Sequence, residues 1–187
     1  GAARELRVGD PREIATPVGP VIDREAKDKL DRWIAGHSSR VVFRHDGAPP
    51  SGGTYVAPAI IALDRARDLT EEVFGPVLHV VRWRAAELDR LLDDLAATGY
   101  ALTLGIHSRI DATVEHIVAR LPNGNVYVNR NMIGAVVGTQ PFGGTGLSGT
   151  GPKAGGPGYL RRFATEQVLT VNTAAAGGNA SLLAEGE

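Results

Sequence analysis

Three stretches of the chain space their apolar residues as amphipathic helices do. They are residues 21–36, 86–97 and 111–121, each with one apolar face and one charged face. Asp23 is placed to cap the first of these helices and Gly36 to end it. Residues 2–8 resemble the last turns of another helix, which suggests that the sequence starts inside a larger domain.

Short β-branched and aromatic runs alternate with the second and third helices. Strands are predicted at residues 40–44, 77–83, 102–107 and 126–129. Residues 54–63 are also extended, although Pro58 predicts an edge strand or a broken one. Strand–helix alternation over residues 77–129 is a βαβαβ pattern, which predicts an α/β fold with a parallel sheet covered by helices.

A glycine-rich stretch, residues 129–156, follows the last strand of this unit. Its apolar residues argue against a flexible linker, so we interpret it as an ordered functional loop. Loops at the carboxyl ends of parallel strands are where such folds bind ligands, and backbone N–H groups there suit an anion. A short helix at 157–163 and a strand at 166–172 follow, with a turn at Gly177-Gly178.

Composition narrows the function classes. The chain has 187 residues and a net charge of −1, so it offers no clustered basic stripe and we expect no nucleic acid contact. No apolar run is long enough to span a bilayer, and no signal peptide opens the sequence, so we expect a cytoplasmic protein. There is no cysteine, which excludes disulfides, thiolate metal sites and a cysteine nucleophile within this sequence.

Two segments resemble nucleotide-binding motifs, but the residues that flank or complete them do not match. Residues 144–149 spell G-x-G-x-x-G, but neither a strand directly before them nor a helix opening on them is predicted. Residues 146–153 fall short of a P-loop, because Pro152 separates Gly151 from Lys153. The five histidines lack metal-ligand spacing. We predict His79 and His107 to be packed neutral side chains and His37 to lie at the surface.

The acidic pair Glu71-Glu72 allows two interpretations. Adjacent glutamates are usually a solvated surface feature. A carboxylate beside an aromatic residue and a Gly-Pro bend, at the entrance of a strand, can also bind the hydroxyls of a ribose. The residues alone leave both interpretations open.

Several motifs together resemble the C-terminal half of an aldehyde dehydrogenase catalytic domain. They are EEVFGPV at 71–77, QPFGG at 140–144 and LSG at 147–149. The runs NRNMIGAVVG at 129–138, GPKAGGP at 151–157 and VNTAAAGGNASLL at 171–183 narrow the match. They are similar to the L-glutamate γ-semialdehyde dehydrogenase module of the bifunctional proline utilisation A flavoenzymes, over essentially the whole chain.

The resemblance implies an NAD-dependent oxidation of glutamate semialdehyde to glutamate in proline catabolism. By it, Glu72 would hydrogen-bond the nicotinamide ribose and Phe74 would pack beside the nicotinamide. Gly134 and Ala135 would anchor the α-carboxylate of the substrate through backbone N–H groups, and Phe142 would line the aldehyde tunnel. Residues 1–164 would belong to the αβα catalytic domain, and residues 165–187 would form an oligomerisation strand or hairpin and the tail, so that the chain joins a homo-oligomer through residues 165–183.

The family's catalytic cysteine, general base, oxyanion asparagine and Rossmann domain would all lie N-terminal of Gly1. We therefore expect no catalytic residue and no metal site in this chain, and no activity from it alone. The remainder of the parent polypeptide would be its partner, with FAD bound only in an upstream proline dehydrogenase domain. The parent could associate peripherally with a membrane. The alternatives are a non-catalytic dimerisation or binding module and an unrelated nucleotide-binding domain, against which the failed motif context argues.

Overall fold

The helix α1, Arg24–Gly36, begins where the sequence predicts it. The Asp23 carboxylate accepts a hydrogen bond of 2.7 Å from the Ala26 N–H, so the predicted N-cap is confirmed. On the apolar face of α1, Leu30 and Ile34 are buried. They belong to one core cluster with Val56, Ala59, Ile61 and Leu63.

The structure, a computed structural model, describes residues 1–47, 50–136 and 139–172. It divides into two units. The first comprises Gly1–Ile133 and Gly143–Gly151, and the second comprises Gly134–Phe142 and Pro152–Glu187. All of the strands and α-helices described below belong to the first unit.

Three strands form the sheet that α1 covers. They are β1 (Val41–Arg44), β2 (Ala59–Leu63) and β3 (Val77–Val81), in the order β1-β2-β3. β1 is antiparallel to β2, and β3 is parallel to it. The edge position predicted for this stretch is wrong, because β2 is the central strand. The predicted break is correct, since Pro58 lies just before β2 and its missing N–H removes no hydrogen bond from the ladder.

The second half of the unit contains the predicted strand–helix alternation. After β3 come α2 (Leu88–Ala97), the two-residue strand β4 (Tyr100–Ala101), β5 (Thr103–Ile106), α3 (Asp111–Arg120) and β6 (Asn125–Val128). β5 and β6 are parallel, which confirms that part of the prediction. β3, however, pairs with β2 rather than joining β5 and β6 in one sheet. Local periodicity identifies strands but does not specify which distant strands pair.

A buried carboxylate connects α2 to the segment that follows β2. Asp94 is only 2% exposed and accepts hydrogen bonds from Arg65 at 2.8 and 2.7 Å and from Arg67 at 2.7 Å. The hydrogen bonds from Arg65 are the largest of the influences that lower the pKa of Asp94. A charge buried in this way is tolerated because it is paired on both oxygens.

The chain ends depart from the sequence predictions. Instead of the end of an α-helix, residues 2–8 contain a single 3-10 turn at Ala2–Arg4. The helix predicted at 157–163 is reduced to a 3-10 turn at Leu160–Phe163. The strand predicted at 166–172 does not form, since a strand requires a hydrogen-bonded neighbour and none pairs with these residues among those described. The turn predicted at Gly177-Gly178 lies outside the described residues.

No helix in the described part of the chain combines the length and the apolar character needed to cross a membrane.

Candidate functional site

Two adjacent glutamates in the segment before β3 have different surroundings. Glu71 forms an ion pair with Lys29 of α1, with a distance of 2.6 Å between Nζ and Oε2. Glu72 is exposed, and its carboxylate has neither a hydrogen bond nor an ion pair with any described residue. Glu71 therefore contributes to attaching this segment to α1, whereas Glu72 remains available to accept hydrogen bonds from a ligand.

The bend after Glu72 is fixed by close packing on α1. A Cβ atom on Gly75 would lie 2.5 Å from Leu30 Cδ1, so a larger residue here would have to displace the Leu30 side chain. The neighbouring Phe74 side chain is 84% exposed although it is large and apolar. Glu72, Phe74 and Gly75 line one cavity of about 410 Å³ together with Leu30 and Trp33. The segment thus presents a carboxylate and an aromatic ring beside an apolar pocket.

The predicted substrate residues lie in the second unit. Gly134 has φ +68°, a left-handed conformation, and no heavy atom lies within 4 Å of the position that a Cβ would take. The backbone N–H of Ala135 donates no hydrogen bond to a described residue. Next to it, the Val136 N–H donates to Gln140 Oε1 at 3.3 Å. The loop therefore has an exposed glycine turn followed by a backbone donor that can serve a ligand.

Phe142 is held by its backbone on the same unit. It forms a bridge with Ala154, in which each N–H donates to the other residue's carbonyl, at 3.0 and 2.9 Å. Its side chain is half-buried. The bridge therefore fixes the backbone position from which the Phe142 side chain projects.

The G-x-G-x-x-G segment is a tightly packed turn. A Cβ on Gly144 would lie 2.7 Å from the Ser148 carbonyl oxygen, and one on Gly149 would lie 2.1 Å from that of Gly144. Gly146, with φ +61°, belongs to β7 (Thr145–Gly146), which pairs antiparallel with β4 (Tyr100–Ala101). These glycines are explained by backbone packing, which agrees with rejecting the dinucleotide motif.

Comparison with known proteins identifies the family. The profile of the aldehyde dehydrogenase family matches residues 1–169. The chain belongs to the aldehyde dehydrogenase family. A curated relative, bifunctional protein PutA from Klebsiella aerogenes, is 52% identical over 171 residues, which are 87% of this chain and 13% of that protein.

Solved structures agree with this assignment. A variant of Bradyrhizobium japonicum proline utilization A superposes with a TM-score of 0.84 and 62% identity, covering 93% of this chain and 18% of the other. A 1-pyrroline-5-carboxylate dehydrogenase from Thermus, solved with bound NAD, gives a TM-score of 0.76 and 36% identity, covering 87% of this chain and 31% of the other. This chain therefore spans between about an eighth and a third of the lengths of these three proteins. Its α/β fold is that of an aldehyde dehydrogenase catalytic domain.

The histidines of this family member form no metal site in the described residues. His79 is packed as predicted, and its Nε2 accepts a hydrogen bond of 3.0 Å from Trp33 Nε1. Burial is the main influence that lowers the pKa of His79, and the charge of His37 adds to it. The prediction for His107 is wrong, because its side chain is exposed. His37 is half-buried rather than a free surface residue, since its ring packs on Trp33 with centroids 4.4 Å apart.

Sequence reasoning missed two residues near the predicted sites. Lys29 distinguishes the two glutamates because it pairs with Glu71 and not with Glu72. It lies on a helix distant in sequence, and no sequence pattern predicts the contact. Asn129, at the end of β6, has φ 55° and is the one non-glycine residue with positive φ in the described chain. The available signal was an asparagine between a strand and a glycine-rich loop, because asparagine tolerates this conformation better than most residues.

Proposed function

We propose that this chain is the C-terminal part of the catalytic domain of an NAD-dependent L-glutamate γ-semialdehyde dehydrogenase of proline catabolism. The names of its relatives, PutA and 1-pyrroline-5-carboxylate dehydrogenase, support this substrate class. The observation that carries the proposal in the structure is Glu72, an exposed carboxylate with no described partner beside a neighbour that has one.

Glu72 and Phe74 would serve the cofactor. A carboxylate can accept hydrogen bonds from both hydroxyls of a ribose, and Phe74 offers an exposed ring to pack beside a nicotinamide. When bound, NAD⁺ would accept the hydride that leaves the substrate as the aldehyde is oxidised to the acid. The residues present fit this group, because the carboxylate and the ring line one cavity of about 410 Å³.

The glycine loop would serve the substrate. Glutamate semialdehyde carries an α-carboxylate, and backbone N–H groups at Gly134 and Ala135 would donate hydrogen bonds to it. Phe142 would provide an apolar wall for the aliphatic part of the molecule. The positive φ of Gly134 supports this role, since a side chain there would be strained while glycine is not.

The chain would be inactive alone. It has no cysteine, so the thiolate that attacks the aldehyde in this family would come from the preceding part of the parent polypeptide. That remainder is the proposed partner, and FAD would bind there, in a proline dehydrogenase domain. We place the parent in the cytoplasm, where it could associate peripherally with a membrane.

The assignment of Glu72 is tested in the parent enzyme with two matched variants, Glu72→Gln and Glu71→Gln. Each removes one negative charge, and the two positions are adjacent. A hydrogen bond to a charged group contributes about 1.5–3 kcal/mol, so Glu72→Gln should raise the KM for NAD⁺ roughly tenfold or more. Glu71→Gln loses an exposed ion pair and should leave that KM within about twofold.

Steady-state NADH formation with glutamate semialdehyde measures both effects. Equal KM values for NAD⁺ in the two variants would refute the cofactor role of Glu72. A parent enzyme that forms no NADH from this aldehyde would refute the proposed function. Aldehyde-dependent NADH formation by residues 1–187 alone would refute the inactivity of the isolated chain.

A second candidate function is a dimerisation module, which one observation favours. Val168, Leu169 and Val171 are 81%, 82% and 65% exposed in a segment without regular structure. An extended apolar segment of this kind can add a strand to the sheet of another subunit. Residues 173–183, also part of the predicted interface, lie outside the described residues.

Light scattering distinguishes this candidate. The chain should be dimeric or larger, and a chain shortened after Ala164 should be monomeric. Leu169→Asp provides a point variant that should also weaken association, because it would bury a charge in the interface. An oligomer that survives both changes would show that the association lies elsewhere.

A further inference from the structure

One face of α1 lines the cavity proposed for the cofactor. The residues of this face recur at three- and four-residue intervals and are Ala26, Lys29, Leu30 and Trp33. Trp33 is the largest of these side chains and is half-buried, so a shift of its indole ring would change the shape of the cavity. All of these residues belong to the first unit, as do those of the segment that contains Glu72.

Two histidines hold the indole of Trp33. Its Nε1–H donates to His79 Nε2 on β3 at 3.0 Å, and the two rings meet edge to face with centroids 5.9 Å apart. The ring of His37 packs on the indole with centroids 4.4 Å apart. One hydrogen bond and two ring contacts therefore fix the indole between α1 and β3.

The hydrogen bond specifies which nitrogen of His79 carries the proton. An indole N–H only donates, so Nε2 is the unprotonated acceptor and the neutral ring carries its hydrogen on Nδ1. A second proton can enter only at Nε2, where it would face the N–H of Trp33. Two donors would then meet, and the hydrogen bond that holds the indole would be lost.

His37 responds differently to a proton. Its Nδ1 lies 2.8 Å from the Trp33 carbonyl oxygen, which only accepts, so Nδ1 is the donor and already carries a hydrogen. Protonation at Nε2 would keep that bond and place a cation beside the Trp33 ring, which attracts cations. Of these two histidines, only His79 therefore loses its hydrogen bond to Trp33 when it is protonated.

Other charged groups share cavities with His79 or Trp33. On α1 they are Lys29, Arg32 and His37, before β3 they are Glu71 and Glu72, and on β4 the titratable group is Tyr100. Burial lowers the pKa of His79 below its ordinary value of 6.5, and the charge of His37 lowers it further. His79 is therefore neutral at pH 7 and gains its proton only in more acidic solution.

We propose that His79 is a positioning residue for the cofactor cavity, which holds the indole of Trp33 in the cavity wall and releases it when His79 is protonated. The inference rests on the proposed function, because it takes this cavity as the site of the nicotinamide riboside of NAD. His79 is not among the described residues that line the cavity, so it acts through Trp33. Cofactor binding and proton binding at His79 then oppose each other.

The test is the Kd of the parent enzyme for NAD⁺, measured by isothermal titration calorimetry at pH 8 and pH 5. The wild-type Kd should be about two- to tenfold higher at pH 5, which is the range that one hydrogen bond accounts for. His79→Gln offers an acceptor that does not titrate, so its Kd should be about the same at both pH values. Trp33→Phe keeps a ring without an N–H and should have a higher Kd than the wild type at pH 8, with no pH dependence.

His116→Gln is the matched control. It removes an exposed histidine from α3, where His116 pairs with Asp89, and it should keep the pH dependence of the wild type. Equal pH dependence in the wild type and in His79→Gln would overturn the inference, and so would a wild-type Kd that does not change with pH. A merely structural role of His79 would instead raise the Kd of its variant by the same factor at both pH values.

A comparison at pH 8 alone decides the question if the parent does not remain folded at pH 5. His79→Leu has no acceptor and should have a Kd for NAD⁺ about twofold or more above that of His79→Gln, exceeding any rise in the KM for glutamate semialdehyde. Equal Kd values, or an equal rise in both constants, would overturn the inference alone. A wild-type parent that binds no NAD⁺ at pH 8 would overturn the proposed function and the inference with it.

Discussion

The two faces of the β1-β2-β3 sheet have similar side chains but very different exposure. On one face, Ile61 is completely buried beneath α1, in the cluster that contains Leu30 and Ile34. On the other face, Leu78 is 57% exposed, one position along the strand from His79, the residue that pairs with Ile61. Neighbouring residues of a strand point to opposite faces, so the two leucine-sized side chains lie on opposite sides of one thin layer.

The exposed Leu78 face has the composition of a surface that another part of a protein covers. Strands that are apolar on both faces are typical of parallel sheets covered on both sides. β3 has this composition, and it pairs in parallel with β2. Since this chain spans only 13% of the length of its PutA relative, we expect the preceding part of the parent to cover Leu78. The face covered by α1 should therefore contribute the same stability in this chain and in the parent, whereas the Leu78 face should contribute stability only in the parent.

The largest effect is expected on the covered face. Ile61→Ala would leave a cavity at a fully buried position and should lower the free energy of unfolding by about 3 kcal/mol. The loss should be similar in this chain and in the parent, because the side chains around Ile61 belong to this chain. Urea unfolding followed by circular dichroism measures it in both. A loss below about 1 kcal/mol would show that α1 is not packed on the sheet as described.

A smaller effect, dependent on pH, is expected from His79 on the same face. Its pKa lies below the ordinary value of 6.5, mainly because burial disfavours the charged imidazole and secondly because of the charge of His37. The unfolded chain thus binds this proton more readily than the folded one. The corresponding stability is complete above about pH 6.5 and declines as the pH falls through the folded-state pKa.

His79→Gln keeps an acceptor for Trp33 but does not titrate. Thermal unfolding at pH 7 and pH 5 should therefore show a smaller acid-induced decrease in Tm for this variant than for the wild type. His37→Gln is the control for the effect of the His37 charge on His79, and it should reduce the acid sensitivity only in part. Identical decreases in the wild type and in His79→Gln would assign the acid sensitivity to other groups.

Much of the covered face could be predicted from the sequence. The 3.6-residue period predicted α1, Asp23 predicted its N-cap, and Pro58 predicted a break in the extended stretch that contains β2. These features depend on residues that are close in sequence. The pairing of β3 with β2, and its separation from β5, depends on contacts between distant segments, so the strand pattern alone could not give it.

The candidate site likewise combines features that the sequence predicts with features that depend on distant contacts. The resemblance of EEVFGPV selected Glu72, but its availability becomes visible only because Lys29 pairs with Glu71. The glycine loop was predicted as ordered from its apolar residues. The left-handed Asn129 and its two bonds to Ser108 were not predicted, since the conformation of one residue and a contact across two strands leave no periodic signal.

The smallest effect in this chain is expected from Leu78→Ala. The side chain is 57% exposed, so its removal should change the free energy of unfolding by less than about 1 kcal/mol. In the parent the same substitution should cost about 2 kcal/mol or more, as for a buried leucine, if upstream residues cover this face. Urea unfolding of both proteins, with Ile61→Ala as the reference that should not differ between them, measures the contrast. A cost that is equally small in the parent would make Leu78 an ordinary exposed residue, because single apolar side chains on a surface are common. The apolar composition of β3 would then reflect the propensity of its residues for strands rather than a second covered face.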